Sequence, residues 1–419
     1  MKELEYITPW ANKRSSDPLH SLCSYLGSFP PSLASYFIRY FTDENDLVYD
    51  PFSGRGTTLL EARILNRKSV ASDLNPIALA LSHAKSVNAD VNQILNLIDE
   101  LEENYDYPLF LPEAKAQADE IHLIFHPRTL AELCYLKLVL KEPKSDEEKI
   151  LVGTILGIMH GGERKDGSSG YLSISMPNTF SMSPEYVRRF VQTNQLNREY
   201  RNTFQLLREK ITRTFEKHSF PKKKSSVYRS DAKTLSKTDE FKKLKNKVDL
   251  ILTSPPYLGI VNYARQNWIR SWFLDANPEL ISNELDDDLN LFEWIKFSKD
   301  TVSQFKKLLK PDGVAVFVIG DVAKSKNSVI PLAREFAVMI KENKLFKNVW
   351  IFSDYIQGFD KTTRIWGETK GKATATDRIV ILSDVNPFKE NHRLNGESDL
   401  TYDLIKESTK HFMGDMLKE

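Results

Sequence analysis

The chain has 419 residues, 41% of them hydrophobic and 27% charged, and its 58 Lys and Arg against 57 Asp and Glu leave a formal net charge of +1. That length holds two or three folded units at roughly 100–200 residues each, and the composition excludes a wholly disordered chain, a collagen-like chain and a coiled-coil rod. With no global excess of positive charge, any nucleic-acid partner has to be met by a local patch.

In chain order, the start MKELEYITPW is too polar and acidic to be expected as a secretory leader. The first α/β pattern opens at Leu47–Asp50, a short β-rich run ending in DPFSGRGTT, and an apolar-periodic stretch from Thr57 to Leu65 reads as a helix. KSVASD is a second strand ending at Asp73, and Asn75–Pro76 opens a second helix. Strand, helix, strand, helix in so few residues predicts parallel βαβ units. Residues 90–225 lack strand alternation and read as helices at 92–104, 127–141, 147–160 and 184–217, interrupted by the loop GGERKDGSSG (161–170). Strands resume at 227–230, 248–253 and 313–320, and 347–355 with 377–383 is expected to close the sheet as an antiparallel pair. The expected division is 1–89 and 226–384 as two parts of one catalytic domain, 90–225 as a helical insertion, and 385–419 as a polar tail. No apolar run approaches the ~20 residues that span a bilayer, so the expected location is the cytoplasm, away from membranes.

Two motifs carry chemistry. DPFSGRGTT (50–58) sits where a strand turns into a helix; its small residues let backbone approach a ligand, and the helix start offers unpaired N–H groups. It lacks the third glycine of a nicotinamide loop, since Leu59 stands there, and the Gly-Lys-Ser/Thr of a P-loop. A structural glycine turn is the competing reading. Asp73, at the end of the second strand, is placed to bind a ribose diol. TSPPY (253–257) follows the apolar strand 248–252; its prolines remove two N–H donors and leave carbonyls to accept, Ser254 adds a hydroxyl and Tyr257 a flat ring. That set suits an exocyclic amino group, which would donate to Ser254 and to the Pro255 carbonyl while the base stacks on Tyr257. The competing reading is a proline-rich turn.

The chain resembles the amino-methylating DNA methyltransferases, which act on cytosine N4 or adenine N6. The resemblance is carried by HSLCSYLGSFPPSLASYFIRYFTDENDLVYDPFSGRGTTLLEA (20–62), SDLNPIA (72–78), SDA (230–232), TSPPY, LKPDGVAVFVIGD (309–321) and TDRIVILSD (376–384). It implies a Rossmann-like class I fold that is mostly parallel with an antiparallel last strand, S-adenosylmethionine as cofactor, and double-stranded DNA as partner. Carried over by position, Phe29 and Pro30 cap the methionine end. Asp50, Phe52, Ser53, Gly54, Gly56, Thr57 and Thr58 belong to the cofactor loop. Asp73 holds the ribose, and Asn75, Ile77 and Asp231 surround the adenine. Ser254, Pro255, Pro256 and Tyr257 hold a base flipped from the duplex. The motif order assigns 90–225 to DNA recognition. Serine opening the catalytic loop favours cytosine N4, because Asp or Asn leads in adenine-N6 enzymes. Adenine N6, an RNA amino-methyltransferase and a silent nucleic-acid-binding protein are the alternatives. A separately acting restriction endonuclease is the expected biological partner.

Carbon-5 methylation needs a cysteine nucleophile, and Cys23 and Cys134 sit in apolar helical patterns rather than beside a strand-end proline. Residues 208–247 hold 14 Lys or Arg against five acids. Phosphate contact beside the catalytic face is one reading of that run, with Lys222, Lys223 and Lys224 at its centre; a solvated face is the other. Arg164 and Lys165 in the glycine-rich loop carry the same pair of readings. Tyr263 and Arg265, just after the catalytic loop, are candidate base-pocket residues, while Trp268 and Trp272 are four apart and expected in the core. No His, Cys and carboxylate set has metal-ligand spacing, so no metal is expected.

Overall fold

Val248–Thr253, VDLILT, is a strand buried along nearly its whole length, as a central parallel strand must be. The computed structural model describes residues 17–388, apart from 165, 177–182, 217, 224, 257, 259–265, 287, 326–327 and 356–372. Its strands are β1 (Leu47–Asp50), β2 (Lys68–Asp73), β3 (Ser226–Arg229), β4 (Val248–Thr253), β5 (Leu309–Ser325), β6 (Ser328–Ile330), β7 (Asn348–Tyr355) and β8 (Ala373–Ser383). They form one sheet in the order β3-β2-β1-β4-β5-β8-β7, with β6 folded back on β5. β3, β2, β1, β4 and β5 run parallel. β8 is antiparallel to both β5 and β7, as expected for the late pair. The chain moves outward from β1 in one direction through β2 and β3, then returns to β4 on the other side. The switch point between β1 and β4 is where such sheets bind ligands, at the carboxyl ends of the strands. This is the doubly wound class I methyltransferase sheet.

Both faces are covered. Helix α1 (Pro31–Phe41) lays Leu33, Ala34, Phe37 and Ile38 on Val48, Leu250, Leu252 and Val316. The other face buries Tyr49, Ile251 and Phe317 under Trp294, Phe305 and Phe336, from the helices Leu291–Leu308 and Leu332–Glu342. Phe388 adds its ring to Tyr40, Phe41, Trp350 and Phe352. Helices α2 (Thr57–Ile64) and α3 (Pro76–Ser86) follow β1 and β2.

Between α3 and β3 the chain forms seven described helices: α4 (Val91–Glu103), α5 (Tyr107–Lys115), α6 (Asp119–His122), α7 (Pro127–Val139), α8 (Asp146–Ile158), α9 (Pro184–Asn194) and α10 (Thr203–Phe215). The expected helix over 184–217 is two: Gln195, at φ 48, ends α9 in the left-handed region. Helix α8 starts at a Ser145–Glu148 capping box and is buried at almost every position from Ile150 to Ile158, so it is the spine of the insertion. Its core is continuous with Leu60, Ile77 and Leu81 of α2 and α3 and with Trp268 and Ile269, so the insertion shares one apolar interior with helices that flank the sheet. Trp268 and Trp272 pack there, as expected. Among the described residues no helix is long and apolar enough to cross a membrane.

Candidate active site

The loop after β1 is built from both sides of the switch point. Asp50, buried at the end of β1, accepts from Thr253 Oγ1 at 2.6 Å and from the Phe52 N–H at 3.2 Å, so one carboxyl ties β1 to β4. Burial pushes that carboxyl up to about 6. The Ser53 N–H donates to the Ser72 carbonyl at 3.0 Å. Gly54 and Gly56 have φ of +49 and +74, the left-handed region where glycine is unstrained. A Cβ on Gly56 would also lie 3.1 Å from Ser82 Oγ, so the loop rests directly on α3. From beneath, Lys85 Nζ donates to the Arg55 carbonyl at 2.6 Å. Lys85 is 1% exposed, and burial together with the Arg55 charge lowers its pKa to about 7.

Asp73, at the end of β2, accepts from the Gly54 N–H and the Asn75 N–H, both at 2.9 Å, one on each oxygen. A carboxylate offers about four acceptor positions, and with the Leu74 N–H also directed at it, acceptor capacity still remains for a ligand. Asn75 Oδ1 caps α3 through the Ile77 N–H, and its Nδ2 donates to Tyr25 Oη at 3.1 Å. Past β3, Asp231 accepts the Lys233 N–H at 2.8 Å, and Lys233 reaches over to Asp286 at 2.6 Å. Ser230 Oγ is buried and has no hydrogen-bond partner among the described residues.

These residues line a cleft at the carboxyl ends of the strands, of about 870 Å³ with the solvent at its mouth included. Of the residues singled out in the sequence, Phe29, Asp50, Phe52, Ser53, Gly54 and Thr57 line it. So do Asp73, Asn75, Asp231, Ser254 and Pro256. Five do not. Ile77 is fully buried in the apolar interior rather than beside the cleft, because the first turn of α3 points it inward. Thr58 is buried and donates to the Leu252 carbonyl at 3.1 Å. Gly56 underlies the loop, Pro30 is an exposed residue capping α1, and Pro255 is buried. The cleft adds residues that the motifs do not mark. Tyr25 lies 3.5 Å from where a Gly54 Cβ would be. Phe297 packs its ring 5.7 Å from that of Phe52, and Leu285 and Asp286 close the far edge.

At the catalytic loop, Ser254 Oγ donates to the Val318 carbonyl of β5 at 3.0 Å, and Ser254 lines the cleft. The Pro256 carbonyl is taken by the indole N–H of Trp294 at 2.7 Å. Trp294 is fully buried, and nothing in its local sequence marks it as a partner of a loop 38 residues away. Trp294→Phe keeps most of the volume and removes the donor, at a cost of about 1–3 kcal/mol for the stranded carbonyl. We expect kcat for methyl transfer to fall roughly tenfold and the thermal midpoint to fall by a few degrees while cofactor affinity stays close to wild type, as read by steady-state kinetics and calorimetry. An unchanged kcat would remove Trp294 from the positioning of the loop. Tyr257, Tyr263 and Arg265 lie outside the described residues, as do Lys165 and Lys224.

Lys222 and Lys223 stand at the other end of the sheet. Lys223 Nζ donates to Asn45 at 2.6 Å, and Asn45 precedes β1 at its amino end. Arg63, 1% exposed, holds the chain there by donating to the carbonyls of Pro221 and Val87 at 3.1 and 2.9 Å, and to that of Lys223. Arg164 is elsewhere, on the insertion. Both cysteines are buried, and burial pushes the Cys134 thiol up to about 12, far from a usable thiolate.

A family model for DNA methylases acting at N6 or N4 matches residues 3–83 and 248–411, more than half of the chain, and its gap contains the helical insertion. The chain is 22% identical over 399 aligned positions to the Type II methyltransferase M.MjaII of Methanocaldococcus jannaschii, covering 74% of this chain and 73% of that protein. Among solved structures it is similar to the rRNA methyltransferase aviRa from Streptomyces viridochromogenes, at 11% identity and TM-score 0.32 over 89% of this chain and 94% of that one. TrmN from Thermus thermophilus gives 12% identity and TM-score 0.31 over 86% of this chain and 50% of that one. With the family match spanning both the cofactor loop and the TSPPY strand, the chain belongs to the N6/N4 DNA methylase family.

Proposed function

We propose that this S-adenosylmethionine-dependent DNA methylase modifies the exocyclic N4 of cytosine. The observation that carries the reading is the Ser254 hydroxyl, which lines the cleft and donates its proton to the Val318 carbonyl, so its oxygen serves as the acceptor for an amino group. Accepting that hydrogen bond draws the amine out of conjugation with the ring and exposes a nitrogen lone pair. The methylated amine is then a cation and sheds one N–H proton to solvent at the mouth of the cleft. Serine at the head of the loop is what favours cytosine over adenine.

The cleft fits the cofactor of the family. The Ser230 hydroxyl, buried and without a hydrogen-bond partner among the described residues, and the Asp231 carboxylate offer polar groups to an adenine edge, Asp73 keeps acceptor capacity for a ribose diol, and Gly54 lets backbone approach the methionine end. When bound, S-adenosylmethionine supplies an electrophilic methyl group; Tyr25, Phe29 and Phe52 exclude water around it. The likeness to a Type II methyltransferase makes the modification arm of a restriction system, beside a separately acting endonuclease, the setting we propose.

The test is nucleoside mass analysis of unmethylated genomic DNA incubated with the protein and S-adenosylmethionine, with Ser254→Ala as control. N4-methylcytosine that disappears in Ser254→Ala is the expected result. N6-methyladenine would overturn the choice of base, and label in RNA but not DNA would overturn the substrate.

A further inference from the structure

A second cleft, of about 1660 Å³ with its solvent mouth included, lies on the far side of the wall that bounds the cofactor cleft. Residues 25–29 of that wall line the first cleft, while Asp17, Pro18 and residues 20–24 line the second. Arg55, the one side chain between Gly54 and Gly56, lines both. Across the opening stand Arg164 from the glycine-rich loop and Lys210 and Arg213 from α10, against only two carboxylates, Asp17 and Glu163. His20 adds no charge, since burial and the nearby Lys85 and Arg55 charges lower its pKa to about 2.

Some basic residues of the lysine- and arginine-rich run are already neutralised. Arg208 is paired with Asp99 and Glu102, Arg229 with Glu284, and Lys233 with Asp286. No ion pair among the described residues engages Arg55, Arg164, Lys210 or Arg213. Lys210 and Arg213 share a face of α10 three residues apart, a like-charge spacing that costs stability unless an anion lies between them. Arg164 is held out by a built turn. Its N–H donates to the Ser168 carbonyl at 2.8 Å and its carbonyl accepts the Gly167 N–H at 3.0 Å. Gly167 is left-handed, and the guanidinium lies 3.0 Å from where a Gly170 Cβ would be, so glycine there makes its room.

We propose that this second cleft binds backbone phosphates of the DNA strand flanking the target base, with Arg164, Lys210 and Arg213 as the contacts and Arg55 where the strand passes the cofactor wall. The proposal rests on the DNA-methylating reading. It also moves the phosphate contacts from the lysines at 222–223, which face the amino ends of the strands, to the insertion. Each phosphate contact contributes about 0.9 to the slope of log affinity against log salt.

The experiment is fluorescence anisotropy on a mixed-sequence duplex between 50 and 300 mM salt, for wild type, Arg164→Ala/Arg213→Ala and Lys222→Ala/Lys223→Ala, with cofactor affinity measured alongside to show that each variant is folded. The expected result is a slope lower by about 1.8 and affinity roughly tenfold weaker per removed contact near ~0.1 M salt in the cleft variant, with both unchanged in the lysine variant. A wild-type slope in the cleft variant overturns the cleft assignment alone, as does a loss confined to the lysine variant. A wild type that binds RNA but not duplex DNA overturns the cleft assignment and the DNA-methylating reading together.

Discussion

An Asp73→Ala protein will bind S-adenosylmethionine at least a hundredfold more weakly than wild type, as measured by titration calorimetry. Two effects add. The diol of the ligand loses a charged acceptor, and hydrogen bonds to charged groups contribute roughly 1.5–3 kcal/mol each. The loop also loses the group that receives the Gly54 and Asn75 N–H donors at 2.9 Å, so the left-handed turn at Gly54 is no longer tied to the end of β2. The same carboxyl sets a pH dependence, because burial holds it up at about 6 in the free protein. A bound diol donates to the ionised form and so lowers that pKa. Affinity is therefore complete above pH 6 and declines as pH falls through it, by up to about tenfold per unit. Asp73→Asn removes this contribution, and a decline that persists belongs to the other buried groups that titrate in this range, Asp50 at about 6 and Glu61 and Lys85 at about 7. Affinity of Asp73→Ala within threefold of wild type would remove Asp73 from the ribose.

What the sequence disclosed and what it concealed divide by range along the chain. β1, β2 and β4 were legible because each is an apolar run followed at once by its functional loop. The late antiparallel pair was legible from alternation. Helix α5 was not, since YPLFLPEAK carries prolines at its start and at Pro112 that read as breaks. The site shows the same division. Motif positions identify which loop surrounds the cofactor, yet they do not say which side chains turn toward it: Asn75 lines the cleft, while Ile77, two residues on, is core. Tyr25, Lys85 and Trp294 act through partners 50, 30 and 38 residues away, and no local pattern encodes such distances. The lysine-rich run shows a further reason. A count of charges has no information about which end of a parallel sheet they occupy, and the bond from Lys223 to Asn45 puts part of that run at the amino end.

Gly157→Ala will be among the most destabilising single-methyl changes in the chain, and it will weaken cofactor binding although Gly157 does not line the cofactor cleft. A Cβ there would lie 2.0 Å from the Leu22 carbonyl oxygen and 3.0 Å from its carbon, so backbone has to move rather than a flexible side-chain end. Alanine returns about 1 kcal/mol of helix propensity, while overpacking costs about 1–3 kcal/mol and occasionally more; with a backbone obstacle the cost prevails. The neighbouring Gly153 is the internal comparison. Its Cβ would meet the Ala84 methyl at 2.6 Å and a Leu22 methyl at 3.0 Å, side-chain atoms both, so Gly153→Ala should lose less. The functional consequence follows from what converges on this turn of α8. The Leu156 carbonyl accepts from Arg270 Nε at 3.0 Å, and Arg270 also donates to Ser24 Oγ at 3.3 Å. One helix end thereby joins the wall that leads into Tyr25 to the helix Trp268–Phe273 downstream of TSPPY. Displacing residues 22–24 moves Tyr25 and Phe29 off the methionine end and disturbs the approach to the catalytic loop together. Urea unfolding and cofactor titration of the two alanine variants decide it. A Gly157→Ala protein with the wild-type urea midpoint and wild-type cofactor affinity would show that the close approach of α8 to Leu22 does not hold the wall in place.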